Sequence, residues 1–296
     1  MRVLVLGAGG QLGRDLAGQL DRRGHQVLGL SRAQLDITDR RAVEEAADQA
    51  QWSRVVNCAA YTNVDQAETE PDVAFAVNRD GAGHVALACA RRGIPLCHLS
   101  TDFVFTQRPP DPPHPWAEAD RPEPRGVYAE SKRAGELECL ASGAPLYLVR
   151  TSWLYGGAGP NFPLAICRRA AEGAVLRVVA DQSGSPTWTG DLAIALGQLL
   201  EGEERGLYHL TGAGVTSWFE FAAAVLREVG LAAQLEPTST ASWGAKAPRP
   251  SYSALDNGHW RALGRQPLPA WEAGLRGYVA SERRGALAGY AQRGGA

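Results

Sequence analysis

The chain of 296 residues is long enough for one large domain or two modest ones, and 45% hydrophobic with 21% charged residues is the composition of a globular protein with a substantial core. A net charge of −2 gives no basic field for nucleic acid, and no apolar run approaches the ~20 residues of a membrane span. Five cysteines (Cys58, Cys89, Cys97, Cys139 and Cys167) are odd in number and contain no Cys-x-x-Cys pair, which suits reduced thiols in a cytoplasmic protein and excludes a disulfide framework.

The apolar run 3–6 is followed by Gly7, Gly10 and Gly13, and then by Leu12, Leu16 and Leu20 at helical spacing: a strand, a glycine turn and a helix. Met1 and Arg2 lead straight into this run, which is too short for an export signal. Glycines at such a turn let the backbone approach a pyrophosphate, while the free amides that open the helix bind its charge. The spacing alone is common, but here it heads a repeating series. Strands are predicted at 26–30, 54–58, 95–100 and 146–150, with helices at 40–51, 71–92 and 128–142 between them. Strands alternating with helices predict an α/β fold, a Rossmann-type doubly wound parallel sheet that binds ligands at the carboxyl ends of its strands.

A dinucleotide-binding unit ordinarily carries an acid about 20 residues after its glycines, where it holds the ribose 2′-hydroxyl. Here the second strand runs into Ser31 and Arg32 instead, which either receive a 2′-phosphate, permitting NADPH, or form a solvated loop. Asp36 and Ile37 suit an adenine edge, and Asp36 equally suits a helix cap.

Lys132 and Lys246 are the only lysines among the 30 basic residues. Lys132 lies four positions after Tyr128, so a helix puts both on one face. There an ammonium can stabilise phenolate, lowering a pKa that is near 10 when unperturbed, and prepare the tyrosine for proton transfer. The alternative is a contact that only packs. Lys246 falls in a loop and carries no assignment.

Beyond residue 150 the pattern loosens, with helices predicted at 160–172, 190–201 and 217–229 and strands at 176–180, 207–210 and 234–237. Taken in order, the glycine turn, Asn57 to Asp65, Ser100-Thr101-Asp102, Tyr128 to Lys132, Arg150 to Gly156, Asp181 to Thr187, Tyr208 to Thr211 and Arg249 to Asp256 resemble the extended short-chain dehydrogenase/reductases. Within that family the likeness is to the branch acting on dTDP-linked 6-deoxy sugars. The resemblance implies reduction of the C4 ketone of dTDP-4-dehydro-L-rhamnose to dTDP-L-rhamnose with NADPH, or alternatively NADH. It places Gly7, Gly10, Gln11, Leu12 and Gly13 at the pyrophosphate, Asp36 and Ile37 at the adenosine, and Ala60, Tyr61 and Thr62 on the ribose and nicotinamide side. Tyr128 would supply the proton, Thr101 would orient the carbonyl, and Lys132 would bind the nicotinamide ribose and lower the phenol pKa. Asp102 and Trp153 would contact the sugar, and Arg249, between two prolines, the diphosphate. The alternatives are backbone hydrogen bonds for Asp102, a core role for Trp153 and an ion pair with Asp256 for Arg249. Asn57 and Asn78 read as structural.

The same resemblance divides the chain into a nucleotide-binding part at 1–150, with returning segments near 186–212, and a substrate-binding region at 151–185 and 213–282; the glycine- and alanine-rich tail at 283–296 lacks a family match and is expected to fray. Phe103 stands where the family usually has tyrosine, which leaves the hexulose open. The proline-rich stretch 107–115 departs from the family and reads as a lid or a stiff loop. Some members of the family use Mg²⁺ at an acid-lined dimer contact, and a homodimer with Asp15 and Asp191 as the candidate acids is the corresponding expectation here. The other readings are a related reductase of different stereochemistry and a non-catalytic NADP-binding subunit like the β subunit of methionine adenosyltransferase. Thr101, Tyr128 and Lys132 occurring together favour an enzyme.

Overall fold

The computed structural model describes every residue except 107, 108, 110, 112, 158 and 291–296. Its central sheet contains β1 (Arg2–Leu6), β2 (Gln26–Leu30), β3 (Arg54–Asn57), β4 (Leu96–Thr101), β5 (Leu146–Thr151) and β6 (Gly206–His209). The order is β6-β5-β4-β3-β1-β2, and every pairing is parallel. Alternate residues of β1 serve opposite faces, as the pleat requires. Val3 and Val5 pack with Leu12, Leu16 and Leu20 of α1 (Gln11–Arg22), whereas Leu4 and Leu6 pack with Val43 of α2 (Arg40–Asp48) and Val85 of α3 (Ala82–Arg92). The doubly wound α/β arrangement predicted from the sequence is therefore observed, including the returning strand β6 beside β5.

The long helix predicted over 71–92 is divided. An α-helical Pro71–Phe75 passes through a π-helical Ala76–Gly81 into α3. The wider turn lets the Asn78 side chain reach the backbone of Tyr61, accepting its N–H at 2.9 Å and donating to its carbonyl at 3.1 Å. Asn78 also donates to Ser131 Oγ of α4 (Val127–Ala141) at 3.0 Å. Gly135 allows this approach, because a Cβ there would lie 2.0 Å from the Asn78 carbonyl oxygen.

Beyond β5, α5 (Phe162–Ala171), α6 (Thr189–Glu201) and α7 (Trp218–Val229) fall close to their predicted positions, and α6 packs against α1. The long helix α8 (Trp271–Glu282) has no counterpart among the predicted elements, nor do the short helices Val64–Ala67, Thr240–Trp243 and Gly258–Ala262. Gly274 and Gly277 weaken its intrinsic propensity. They also let it press closely on its neighbours, since a Cβ at Gly274 would stand 3.0 Å from Asp191 Oδ2 and one at Gly277 2.7 Å from the Trp188 ring. Within the expected tail, Leu287 is only 1% exposed, in one cluster with Phe221, Leu275 and Tyr278, whereas Arg283, Arg284, Gly285 and Gly289 are exposed. The last six residues and part of the proline-rich stretch lie outside the described residues. No helix among the described residues is long and apolar enough to cross a membrane.

Candidate active site

The strand order reverses between β1 and β3, and a cleft of about 400 Å³ opens at their carboxyl ends. Gly7, Gly9, Gly10, Ser31, Arg32, Asp36, Ile37, Ala60 and Tyr61 line it, so most of the expected cofactor residues are brought together. Gly7 has φ +76°, and a Cβ on Gly13 would fall 2.3 Å from the Gly7 carbonyl oxygen. Gly10 precedes α1 with no side-chain cap, leaving the opening turn of the helix uncapped beside the cleft. These features fit a dinucleotide. Leu12 is a core residue at 7% exposure, so only its backbone is suited to a ligand, and Gln11 donates to the Pro160 carbonyl at 3.0 Å. Thr62 is exposed beyond Tyr61. Asp36 accepts the Thr38 N–H and hydroxyl and pairs with Arg32 at 3.3 Å; the helix cap is Asp39, not Asp36. Ala33, Leu35, Cys58, Ala59 and Val77 complete the lining and, like Gly9 of the same glycine turn, were not anticipated.

Thr101 ends β4, while Tyr128 and Lys132 occupy one face of α4; Thr101, Tyr128 and Lys132 are all buried. Gly126, at φ +89°, supplies no cap for α4, and Glu68 does so from a distance by accepting the Val127 N–H at 2.8 Å. Lys132 Nζ donates to the Leu99 carbonyl at 2.7 Å, tying α4 to the end of β4. Thr101 Oγ accepts the Phe103 N–H at 3.2 Å and donates to Asp102 Oδ1 at 3.1 Å. Asp102 Oδ2 is buried without a hydrogen-bond partner by distance and angle, and Ser253 stands close enough to oppose the effect of burial on this carboxyl.

Burial dominates the electrostatics. It raises the Tyr128 phenol to about 12, the Thr101 hydroxyl opposing and Asp102 reinforcing the shift. This direction is opposite to the expected lowering by Lys132. Burial likewise brings Lys132 down to about 8 against the pull of Glu136, and raises Asp102 to about 7. Glu136 continues the helix face one turn beyond Lys132. It is fully buried and takes both Arg150 Nε and Nη2 at 2.8 Å.

Tyr128 packs in one cluster with Tyr61 of the first cleft and with Phe103, whose ring meets it edge-on at 5.3 Å. Phe103 also lines a second cavity, of about 290 Å³, with Trp153, Arg169, Arg177, Trp218 and Arg249. Trp153 has φ +45°, a strained conformation for a bulky residue, with its indole beside Gly184 and stacked on Trp218. Arg249 pairs with Asp65 at 2.8 Å; Asp256, its expected alternative partner, pairs with Arg261. Among the described residues no group of three or more His, Cys, Asp or Glu could share a metal ion, and the Asp15 carboxylate is taken by the Thr189 hydroxyl.

Such a sheet, with a nucleotide cleft at its reversal and a Thr-Tyr-Lys set beside it, defines an extended short-chain dehydrogenase/reductase. Known proteins narrow the class. The family model described as RmlD substrate binding domain matches residues 1–284. The dTDP-4-dehydrorhamnose reductase of Streptomyces griseus is 46% identical over 283 residues, covering 93% of this chain and 91% of the relative. Its counterpart of the same name in Mycobacterium tuberculosis (strain CDC 1551 / Oshkosh) is 44% identical over 278 residues, covering 93% and 91%. The crystal structure of dTDP-4-dehydrorhamnose reductase from Bacillus anthracis str. Ames in complex with NADP has a TM-score of 0.91 at 37% identity, covering 95% of this chain and 99% of that chain. The chain belongs to the RmlD family of dTDP-4-dehydrorhamnose reductases and is an oxidoreductase.

Proposed function

We propose that the protein reduces the C4 ketone of dTDP-4-dehydro-L-rhamnose to dTDP-L-rhamnose with NADPH. The observation that carries this reading is Tyr128, 9% exposed and packed in one cluster with Tyr61, which lines the glycine cleft, and Phe103, which lines the tryptophan- and arginine-lined cavity. Gly10 to Gly13 would hold the pyrophosphate, Ser31 and Arg32 a 2′-phosphate, Asp36 and Ile37 the adenosine, and Ala60 to Thr62 with Lys132 the nicotinamide ribose. The chemistry NADPH supplies when bound is the hydride.

The rest belongs to the chain. Tyr128 keeps its phenolic proton at neutral pH because burial raises its pKa, and it delivers that proton to the oxygen that gains charge. Thr101 Oγ orients the carbonyl. Lys132, held by the Leu99 carbonyl, keeps further N–H donors for the ribose. Trp153 and Asp102 contact the hexose, and Arg249 the diphosphate. Residues 1–150 with 186–212 form the nucleotide-binding part, and 151–185 with 213–282 the substrate-binding part.

Phe103, lacking the phenol of the family's usual tyrosine at the mouth of the second cavity, favours a reductase of different stereochemistry as the second reading. A cytoplasmic homodimer completes the proposal, five free cysteines supporting the compartment. Mg²⁺ at Asp15 and Asp191 is not carried forward, because Asp15 is engaged by Thr189. Incubation with NADPH and dTDP-4-dehydro-L-rhamnose, with nicotinamide absorbance followed and the product identified by NMR, tests both readings. Absence of NADPH oxidation overturns them together, and the product's configuration at C4 separates them.

A further inference from the structure

The short helix Val64–Ala67 follows directly on Tyr61 and Thr62 and is capped by Asn63, which accepts the Gln66 N–H at 3.2 Å. Two acids, Asp65 in its first turn and Glu68 at its C-cap, each grip a different segment. Asp65 Oδ1 accepts the Ala247 N–H at 3.1 Å, and Oδ2 accepts Arg249 Nη2 at 2.8 Å. One turn later, Glu68 Oε1 accepts the Val127 N–H at the head of α4, one residue before Tyr128. The segments meet at Gly126, where a Cβ would lie 3.0 Å from both Glu68 Oε1 and Pro248 Cδ. A four-residue helix beside the cofactor cleft therefore fixes the loop that carries Arg249 and the start of the helix that carries the proton donor.

An arginine loses much rotamer freedom when it engages an anion. A single carboxylate that holds both its guanidinium and a backbone N–H two residues earlier removes that freedom in advance, and the guanidinium keeps other N–H groups for a ligand. Arg249 is the cation of the second cavity so held; its side chain is 23% exposed and that of Asp65 40%. We propose that Asp65 is a positioning residue for the diphosphate of the nucleotide sugar, acting through Arg249, and that Glu68 is its counterpart for Tyr128, acting through the first turn of α4. This rests on the reading of the second cavity as the nucleotide-sugar site.

The test uses dTDP and thymidine as probes in titration calorimetry, with steady-state kinetics alongside. In Asp65→Ala the Kd for dTDP and the KM for dTDP-4-dehydro-L-rhamnose rise about tenfold, the loss of one charge-assisted hydrogen bond, while kcat and thymidine binding hold. In Glu68→Gln kcat falls and KM holds. In an Arg249→Ala background Asp65→Ala adds no further loss, because the two act as one unit. Unchanged dTDP affinity in Asp65→Ala, equal weakening of dTDP and thymidine, or additive losses in the double variant would each overturn the proposal. Wild-type protein that binds dTDP without reducing the keto sugar sinks the functional reading instead, and leaves the calorimetric comparison standing.

Discussion

Trp153 and Trp218 lie face to face, their ring centroids 3.6 Å apart and their planes within 5°. Trp218 opens α7 and is one wall of the second cavity, so the stack ties a strained residue after β5 to a regular helix. Such a pair is worth about 0.5–1.5 kcal/mol beyond its buried area. Trp218→Leu is expected to raise KM for the sugar nucleotide by about three- to tenfold with little change in kcat, as read from initial rates.

On the proposed mechanism, Tyr128→Phe removes the proton donor and keeps the ring that packs with Tyr61 and Phe103. Turnover should fall by about 10²–10⁴, the usual worth of a positioned acid. NADPH affinity, followed by fluorescence titration, should stay within about twofold, because the ring and its packing survive. Retained turnover would remove Tyr128 from the chemistry.

Asp102 makes stability depend on pH in a direction opposite to most carboxylates. Burial raises its pKa from 3.8 to about 7, so the folded state binds more protons than the unfolded state across that window. Its contribution is fully present below the unfolded value and is lost as pH rises through the folded one. Asp102→Asn should therefore gain on the wild type as pH climbs from the unfolded toward the folded value, then level off. Urea unfolding at a series of pH values measures the difference, and a gap independent of pH would contradict the assignment.

Glu136 behaves in the usual sense. Burial alone would raise it, but the Arg150 guanidinium outweighs this, with Ser100 and Arg133 assisting, and the carboxyl is held below its ordinary value. The stability it confers is present above the unfolded pKa and is lost as pH falls through the folded one. Glu136→Gln leaves Arg150, 1% exposed, without its counter-charge, and should cost about 3–5 kcal/mol in denaturant unfolding.

Arg32 has a side chain 77% exposed at the edge of the cofactor cleft, paired to Asp36 through one nitrogen. If it receives a 2′-phosphate, Arg32→Ala should lower the NADPH to NADH ratio of kcat/KM by about tenfold, one charge-assisted contact. An unchanged ratio would leave Arg32 as a loop residue.

The sheet was legible because each strand is a short apolar run closed by a polar or glycine turn, and Tyr128 with Lys132 was legible from a four-residue spacing. The sign of the phenol's shift was not, since it depends on how completely α4 and β4 enclose the ring. Pairings across the chain were hidden for another reason: Asp65 and Arg249 are 184 positions apart, and only the return of the 247–249 loop brings them together. Helix α8 escaped notice because Gly274 and Gly277 argue against a helix until Asp191 and Trp188 are seen pressed against it. Glu136 had a readable signal, two helical turns after Tyr128, but its Arg150 partner required the fold.

The π-helical turn at Ala76–Gly81 makes the chain's length itself part of the site. A π turn accommodates one more residue than the α turn it replaces. Removing a single residue there would let the segment relax to a continuous α-helix and swing Asn78 about 100° around the axis, away from Tyr61 and Ser131. Such a deletion would not break the helix. It would unhook the cofactor-side loop from the helix that carries Tyr128, so this segment should tolerate no change in its count of residues.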